Sequence, residues 1–289
     1  MDCPPPRFSI VTPSFNGVRW LPLCLASVAD QEVPTEHLVQ DGGSTDGTLE
    51  FLRHAPRPGV QVVSEPDRGM YDAVNRGLHR ARGEFCAYLN CDEQYLPGTL
   101  RAVAEAFERH PGIEVLFADA LVVDESGRYL CHRRALRPQR LHTLLAGNLA
   151  ILTCATFFRR EVFTERRLAF DPAWRALGDI DWVRRLLRAR VPTMVLRRFT
   201  SAFTQTGGNL GWSEAGRVEM RRWHASIPRA LRWLRAPVVA HYRLRKVALG
   251  LYRQAPFTYR LYTTASPDRR LPFTVTRPTA RWHTPAPTP

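Results

Sequence analysis

Two common nucleotide-binding motifs are missing from this sequence. Lys246 is the only lysine among 41 basic residues, and Arg245 precedes it, so the chain contains no G-x-x-x-x-G-K pattern of a P-loop. Residues 12–20, at the first strand-to-helix turn, lack the G-x-G-x-x-G that nicotinamide-dependent dehydrogenases carry there. Both absences argue against a P-loop enzyme and against a dehydrogenase of that type.

Long apolar runs and paired cysteines are also absent. No stretch reaches the 18 apolar residues or so that a membrane-spanning helix needs, although 44% of the residues are apolar, enough for a globular core. The six cysteines form no C-x-x-C pair, and no charged-then-apolar segment opens the sequence. We therefore expect a folded cytoplasmic protein with free thiols.

Acidic residues are scarce in the last third of the chain. Residues 1–182 hold 20 arginines and 24 acidic residues, whereas residues 183–289 hold 21 basic and only three acidic ones. The net charges are −4 and +18, so the excess of +14 belongs to the C-terminal part. Codon usage can explain arginine in place of lysine, but it does not explain the missing acids. Such a segment commonly meets an anionic surface, either phospholipid or nucleic acid.

Apolar strand patterns alternate with amphipathic helix patterns along the first 120 residues. The pattern predicts strands at 8–12, 36–40, 60–64, 85–89 and 114–118, and helices near 20–30, 47–54, 70–82 and 97–109. A turn follows at 124–127, and a further helix is predicted at 179–189. This order indicates an α/β fold with a mostly parallel sheet and helices on both faces.

The first four predicted strands each run into a polar segment. These segments are TPSFN (12–16), DGGSTDG (41–47), EPDRGMYDAVN (65–75) and NCDE (90–93). Ligands of open α/β sheets bind beyond the carboxyl ends of the strands, so we expect the four segments to converge on one edge. Taken singly, DGGSTDG is also explained by a turn and a helix cap, and NCDE by a solvated loop.

Together, these segments resemble the family 2 glycosyltransferases, which have a GT-A nucleotide-sugar-binding fold. The resemblance covers residues 8 to about 187 through SIVTPSFN, VQDGGSTDGT, SEPDRGMYDAVNRG, GEFCAYLNCDEQYLPGTL, ATFFRREVF and GDIDWVRRLL, in that order. It implies a catalytic domain at 1–228, with a Rossmann-like nucleotide-binding half. We expect a basic, amphipathic helical extension at 229–283 and a disordered tail at 284–289.

The resemblance also implies which residues bind the donor, a sugar carried on a nucleoside diphosphate. Thr12, Pro13 and Ser14 would line the nucleotide pocket, and Asp41 would accept hydrogen bonds from the base or ribose. Further donor residues are implied on the phosphate and sugar side: Arg68, Asp72, Asn75, Asn90 and Asp92.

A divalent cation, Mn²⁺ or Mg²⁺, is implied at NCDE, where the family keeps its D-x-D-type element. Asp92 and Glu93 are the candidate ligands, because hard cations take carboxylate oxygens and can neutralise a diphosphate leaving group. The sequence departs from the family pattern here. Glu93 stands where Asp is common, Cys91 where a small residue is usual, and Asn90 leaves the first position uncharged. Which carboxylate contacts the cation directly is open.

Sugar transfer needs a base for the acceptor hydroxyl. Asp179 matches the family's catalytic acidic position, with Asp181 as its neighbour or substitute, and the resemblance implies one displacement that inverts the anomeric carbon. Without the resemblance, a helix cap is the better explanation of Asp179. The glycine-containing segment at 204–211 is either a lid over the substrates or a structural turn.

The basic segment at 229–283 has two interpretations. It is either an interfacial helix on an anionic membrane, which would suit a lipid-linked or cell-surface glycan acceptor, or a helical subdomain packed on the catalytic domain. Nucleic acid is not an expected partner, because it would leave the carboxylates of the first 182 residues without a purpose. The rival function is a catalytically weak, glycan-binding or scaffolding relative of the family.

Overall fold

The computed structural model describes residues 5–54, 57–146 and 151–282, and the structural statements below concern this part of the chain. The tail predicted at 284–289 lies outside it. The strands are β1 Phe8–Ser14, β2 Thr35–Asp41, β3 Val60–Ser64, β4 Phe85–Tyr88, β5 Gln94–Tyr95, β6 Val115–Val123, β7 Tyr129–Arg133, β8 Thr156–Arg159, β9 Thr193–Thr204, β10 Phe257–Thr263 and β11 Ser266–Val275. The α-helices are α1 Leu21–Ala29, α2 Thr48–His54, α3 Met70–Arg80, α4 Thr99–Arg109, α5 Arg140–Ala146, α6 Glu161–Thr164, α7 Gly178–Arg188, α8 Glu214–Ser226, α9 Arg229–Arg232 and α10 Arg235–Ala248.

A large mixed sheet organises the described residues. Its strand order is β3-β2-β1-β4-β8-β6-β9-β5, with β7 paired to β6. Strands β1 to β4 are parallel to one another, and β6 and β9 run in the same direction beyond the antiparallel β8. The α/β class with a mostly parallel sheet is therefore confirmed. Each strand and helix predicted in the first 120 residues is present within a few residues of its expected bounds.

The central strands β1, β4 and β6 are buried along their whole length, and their side chains alternate between the two faces of the sheet. In β1, Phe8 and Ile10 join Leu100 and Phe107 of α4 on one face. Val11 points to the other face, where it packs with Val74 and Leu78 of α3. Near-continuous apolar strands between two helical layers are typical of parallel sheets. This double burial fixes the carboxyl ends of the strands in space.

The C-terminal segment differs from the predicted helical extension. It is helical as far as Ala248, but residues 257–275 form an antiparallel hairpin, β10–β11. The reason is visible in FTYRLYT, where Tyr259 and Leu261 are buried and alternate with exposed or half-buried residues. This two-residue period indicates a strand, and it replaces the helical spacing of the preceding arginine-rich segment.

The hairpin packs on the main sheet. Tyr259, Leu261 and Val275 form one apolar cluster with Leu121 and Val123 of β6. Polar contacts add to this packing, including the ion pair of Arg270 with Asp30, whose Nη2 and Oδ1 atoms are 2.8 Å apart. The hairpin is thus an integral part of the core, and removing it would expose the apolar surface of β6 to water.

In the described residues, no helix is long and apolar enough to cross a membrane. Five cysteines lie in this part of the chain, Cys24, Cys86, Cys91, Cys131 and Cys154, and all five are free thiols. The expectation of free thiols is confirmed for these five.

Gly83 approaches the backbone of β1 so closely that a side chain should destabilise the fold. A Cβ atom at this position would lie 2.6 Å from the carbonyl carbon of Phe8 and from the nitrogen of Ser9. We expect Gly83→Ala to lower the free energy of unfolding by about 1–3 kcal/mol, because backbone cannot move aside cheaply. Urea denaturation measures this change.

Gly112→Ala is the matched control, since a Cβ at Gly112 would meet nothing within 4 Å. Its unfolding free energy should stay within about 0.5 kcal/mol of the parent value. Equal effects of the two substitutions would contradict the packing described at β1.

Candidate active site

The loops that follow β1, β2 and β3 meet at one edge of the sheet. A Cβ atom on Gly42 would lie 2.7 Å from Oδ2 of Asp67 and 3.4 Å from the ring of Phe15. Gly42 thus keeps the three loops in contact without a side chain between them. The ring of Phe15 is 67% exposed at this edge.

The loop after β4 joins the same edge through Gly17. A Cβ atom there would lie 3.0 Å from Sγ of Cys91 and 3.1 Å from Oγ of Ser14. The predicted convergence of all four polar segments is therefore confirmed. The hydroxyl of Ser14 is buried and has no hydrogen-bond partner among the described residues. It is a polar group available to a ligand.

Thr12 and Pro13 lie deeper in the core than Ser14. The Thr12 hydroxyl is within 2.8 Å of Nε2 of His37, and burial lowers the pKa of this histidine to about 3. Pro13 is also buried within β1. The backbone of Thr12 and Pro13 supports the pocket, while Ser14 alone of the three carries an unused side-chain atom.

Asp41 ends β2 with a buried carboxylate. Its Oδ2 atom accepts hydrogen bonds from the backbone N–H of Gly43 (2.9 Å) and Ser44 (2.9 Å) and from the Ser64 hydroxyl (2.8 Å), while Oδ1 accepts from the Ser44 hydroxyl. These bonds hold the DGGS loop. The predicted contact of Asp41 with a base or ribose would compete with them, and it stays a prediction.

Asp72 holds the loop after β3. Its carboxylate accepts hydrogen bonds from the backbone N–H (3.1 Å) and Nη2 (3.1 Å) of Arg68, and from Nη2 of Arg76 (2.9 Å). Burial acts to raise the pKa of Asp72, but the hydrogen bonds from Arg68 and the charge of Arg76 lower it overall. The Arg68 side chain remains 71% exposed, so Asp72 orients a guanidinium that still faces solvent.

Asn75 bridges two parts of the chain. Its Nδ2 donates to the carbonyl of Phe170 at 2.7 Å, and its Oδ1 accepts from the N–H of the same residue at 3.0 Å. Both ends of the amide are used by this clamp. The structure thus gives Asn75 a supporting role in the fold, and its predicted contact with the donor stays a prediction.

The two adjacent carboxylates after β4 have different surroundings. Glu93 is buried and closes a turn: its Oε2 accepts the N–H of Asn90 at 2.8 Å, while its own N–H donates to the Asn90 carbonyl at 3.0 Å. Asp92 is only half-buried, and among the described residues only its own backbone N–H donates to its carboxylate. Burial raises the pKa of Asp92, and burial together with the Asp92 charge raises the pKa of Glu93.

These residues fit a divalent cation that takes part of its ligands from a substrate. In the described ranges no three His, Cys, Asp or Glu side chains form a metal-binding cluster. However, the Asn90 Oδ1 atom is buried without a partner there, next to the unpaired carboxylate of Asp92. Mg²⁺ is often bound by one or two carboxylates together with phosphate oxygens and water. The geometry favours Asp92 over Glu93 as the direct ligand.

Asp179 lies in the first turn of α7. Its Oδ1 accepts the N–H of Ile180 at 2.8 Å, and burial raises its pKa to about 6. The charges of Asp179 and Glu93 both contribute, after burial, to a raised pKa of the buried Tyr88. Asp179 lies beside the start of α3, because its N–H donates to the hydroxyl of Tyr71 at 3.2 Å, and α3 directly follows the loop after β3.

Asp181 has a different environment from Asp179. Its two oxygens lie 2.6 Å from Nη2 of Arg184 and 2.7 Å from Nε of Arg185, and the side chain is buried. Residues two positions apart point to different faces of a helix. Asp181 is thus engaged in an ion-pair network of α7, and only Asp179 keeps a carboxylate free of cationic partners in the described residues.

Two residues near this site were missed from the sequence. Phe15 was part of the TPSFN segment, but its exposure could not be inferred from a pattern that places most aromatic residues in cores. Glu219 of α8 contacts the segment before Asp179, and its only sequence signal is that acidic residues are rare after residue 182.

Comparisons with known proteins place these features in a family. The family model for glycosyl transferase family 2 matches residues 9–167. A PGL/p-HBAD biosynthesis glycosyltransferase of Mycobacterium bovis is 31% identical over 209 residues, which cover 70% of this chain and 78% of the relative. An uncharacterized glycosyltransferase of Mycobacterium tuberculosis is 31% identical over 159 residues, which cover 53% of this chain and 58% of the relative.

Solved structures support the fold. Staphylococcus aureus TarS in complex with UDP superposes with a TM-score of 0.58 at 19% identity, over 84% of this chain and 72% of that one. The mannosyltransferase PcManGT of Pyrobaculum calidifontis, in complex with GDP-Man and Mn²⁺, superposes with a TM-score of 0.55 at 17% identity. The match covers 87% of this chain and 82% of that one. With its GT-A fold and its family match, this chain belongs to glycosyl transferase family 2 and is a glycosyltransferase that uses a nucleotide-sugar donor.

Proposed function

We propose that the enzyme transfers a sugar, with inversion, from a nucleoside diphosphate sugar to a hydroxyl group of a glycan or lipid-linked acceptor, assisted by Mn²⁺ or Mg²⁺. One observation carries the proposal. At the edge where the four loops meet, the side-chain oxygens of Ser14, Asn90 and Asp92 have no partner from another described residue. Asp179, whose N–H donates to Tyr71 at the start of α3, has no cationic partner in the described residues.

The donor would bind along this edge. The exposed ring of Phe15 offers a flat face for the base, and the exposed guanidinium of Arg68 offers positive charge for the diphosphate. Asn90 and Asp92 would hold the cation. When bound, the cation supplies positive charge that neutralises the diphosphate as it leaves. TarS with UDP and PcManGT with GDP-Man and Mn²⁺ show that similar folds hold such donors.

Asp179 would act as the base. Its carboxylate takes the proton of the acceptor hydroxyl while the hydroxyl oxygen attacks the anomeric carbon, and the bond from that carbon to the diphosphate breaks on the opposite side. One displacement inverts the configuration. A pKa of about 6 makes Asp179 a stronger base than an ordinary carboxylate, yet leaves it ionised at neutral pH.

Exposed apolar side chains near the C-terminal helices would suit an enzyme whose acceptor is held in a membrane. Trp233, Leu244 and Val247 are 73%, 67% and 63% exposed. Leu244 and Val247 are three residues apart and therefore share one face of α10, Trp233 lies in the turn between α9 and α10, and Arg232 and Arg243 are also exposed. We call these three apolar and two arginine side chains together the basic stripe.

The other side of α10 is packed on the catalytic domain. Lys246 is buried, and the ring of Tyr242 lies 5.5 Å from the ring of His142 in α5. The two interpretations of this segment are therefore compatible, since one face packs and the other faces water. Residues 220–267 contain no acidic residue, so the same surface of a second copy would be repelled, while an anionic bilayer would be attracted. We propose that the basic stripe docks the enzyme on such a bilayer, in the synthesis of cell-surface glycans.

The proposed reaction is tested with UDP-, GDP- and dTDP-sugars in the presence of Mn²⁺ and candidate hydroxyl acceptors. We expect one donor to release its diphosphate, and proton NMR to show the inverted anomeric configuration in the product. Retention of configuration would contradict the single displacement. Glycan binding without turnover of any donor would favour the catalytically weak relative.

Asp179→Asn should reduce kcat by ~10² to 10⁴ fold, because the amide cannot accept the proton, while donor affinity measured by calorimetry is preserved. In the parent enzyme, kcat/KM should fall as the pH drops through about 6, where the Asp179 carboxylate becomes protonated.

Asp181→Asn is the matched control for Asp179→Asn. It should lower stability, because it leaves Arg184 and Arg185 without their partner, but it should retain kcat within about tenfold. The reverse result, with Asp181→Asn inactive and Asp179→Asn active, would show that the base is assigned to the wrong aspartate.

Asp92→Asn should weaken the Mn²⁺-dependent binding of a nucleoside diphosphate by at least about tenfold, because a charged oxygen ligand becomes neutral at nearly constant shape. Isothermal titration calorimetry with and without Mn²⁺ measures the effect. Glu105→Gln, an exposed carboxylate of α4, is the control and should bind as the parent does. Unchanged binding by Asp92→Asn would remove Asp92 from the cation site.

Trp233→Ser combined with Leu244→Ser should reduce binding to vesicles of phosphatidylglycerol and phosphatidylcholine by at least about tenfold, since burial of one large apolar side chain contributes about 1.5–3 kcal/mol. Cosedimentation measures the bound fraction. Val218→Ser, an exposed apolar position on α8, is the control. Equal binding by the double variant and the control would contradict docking through the basic stripe.

A further inference from the structure

A buried glutamate lies directly behind the segment that leads to Asp179. Glu219 of α8 is 7% exposed, and its carboxylate accepts three backbone N–H groups. Its Oε1 accepts from Arg175 at 2.5 Å, and its Oε2 accepts from Ala176 and Leu177, both at 2.9 Å. Among the described residues it forms no salt bridge, so these amides are what balance its buried charge.

The same segment is held from the opposite side by Tyr71 of α3. The buried phenol donates to the carbonyl of Ala176 at 3.3 Å and accepts from the N–H of Asp179 at 3.2 Å. The Tyr71 ring also leaves no room for a side chain at Gly178, where a Cβ atom would lie 2.7 Å from ring carbons. Residues 175–179 are thus fixed between α8 and α3.

We propose that Glu219 is a positioning residue that sets the place and direction of Asp179 for proton transfer, an inference that rests on the proposed function of Asp179. Three N–H groups converging on one carboxylate form charge-assisted hydrogen bonds, which are stronger than neutral ones. An ionised carboxylate accepts all three without donating. A glutamine at this position would turn an NH₂ group toward one of the backbone N–H groups, and the segment would have to shift.

Such a shift affects the chemistry more than donor binding. The residues proposed to hold the donor lie on the loops after β1, β3 and β4, and Glu219 contacts none of them through the hydrogen bonds described. Small displacements of a catalytic group can reduce turnover by about 10² fold. A residue that only stabilised the fold would instead lower the amount of folded enzyme, with kcat per folded molecule unchanged.

The test compares Glu219→Gln with Glu214→Gln, which alters an exposed glutamate on the same helix that pairs with Arg217. We expect Glu219→Gln to lower kcat by about 10 to 100 fold with an unchanged donor Kd, measured below the onset of unfolding. Glu214→Gln should behave as the parent does. Glu219→Asp, which keeps the charge on a shorter side chain, should recover part of the loss, and it serves as the primary variant if Glu219→Gln does not fold.

The double variant Asp179→Asn with Glu219→Gln shows whether Glu219 acts through Asp179. If it does, the double variant is no slower than Asp179→Asn alone, because residues that act as a unit are not additive. If the losses in kcat of the two single variants multiply in the double variant, the positioning role is wrong. It is also wrong if Glu219→Gln keeps the kcat of the parent while Asp179→Asn is slow. A fully active Asp179→Asn would instead contradict the proposed function itself.

Discussion

The cost of burying a carboxylate determines how this active site is built. A buried charge must be matched by hydrogen-bond donors or cations, or else its pKa rises. Asp41, Asp72 and Glu219 are matched, by backbone N–H groups, hydroxyls or arginines, and each holds a loop in place. Asp92 and Asp179 receive few donors, and burial raises the pKa of each. The matched carboxylates hold the loops in place. Of the two unmatched ones, Asp92 is free to bind the proposed cation and Asp179 is free to accept the proton of the acceptor.

The position of the unmatched pair follows from the sheet. Parallel strands packed on both faces bring their carboxyl ends to one edge, so loops far apart in sequence come into contact. Glycines at positions 17 and 42 leave room for side chains of the neighbouring loops to pack against them. Glu219 and Tyr71 then fix the segment before α7 against this edge. The base therefore depends on a helix that lies more than thirty residues further along the chain.

Much of this arrangement could be predicted from the sequence. The alternation of strands and helices predicted the sheet, the polar strand ends predicted the edge that holds Asp92, and the family resemblance pointed to Asp179. The rest depends on contacts between distant residues. No local pattern shows that the side-chain amide of Asn75 is hydrogen-bonded to the backbone of Phe170, or that Glu219 accepts three backbone N–H groups. The hairpin at 257–275 was predictable from the two-residue alternation of its apolar residues, but the helical spacing of the basic segment before it favoured a helix.

The most direct test of the central claim is the melting temperature of the purified enzyme with UDP, GDP or dTDP, each with and without Mn²⁺. A ligand that binds only the folded state raises the melting temperature. The account predicts that one diphosphate gives a clear increase with Mn²⁺ and a much smaller one without it, because the cation joins Asp92 to the phosphates. An absence of any Mn²⁺-dependent increase with all three diphosphates would contradict the donor site described at the edge of the sheet.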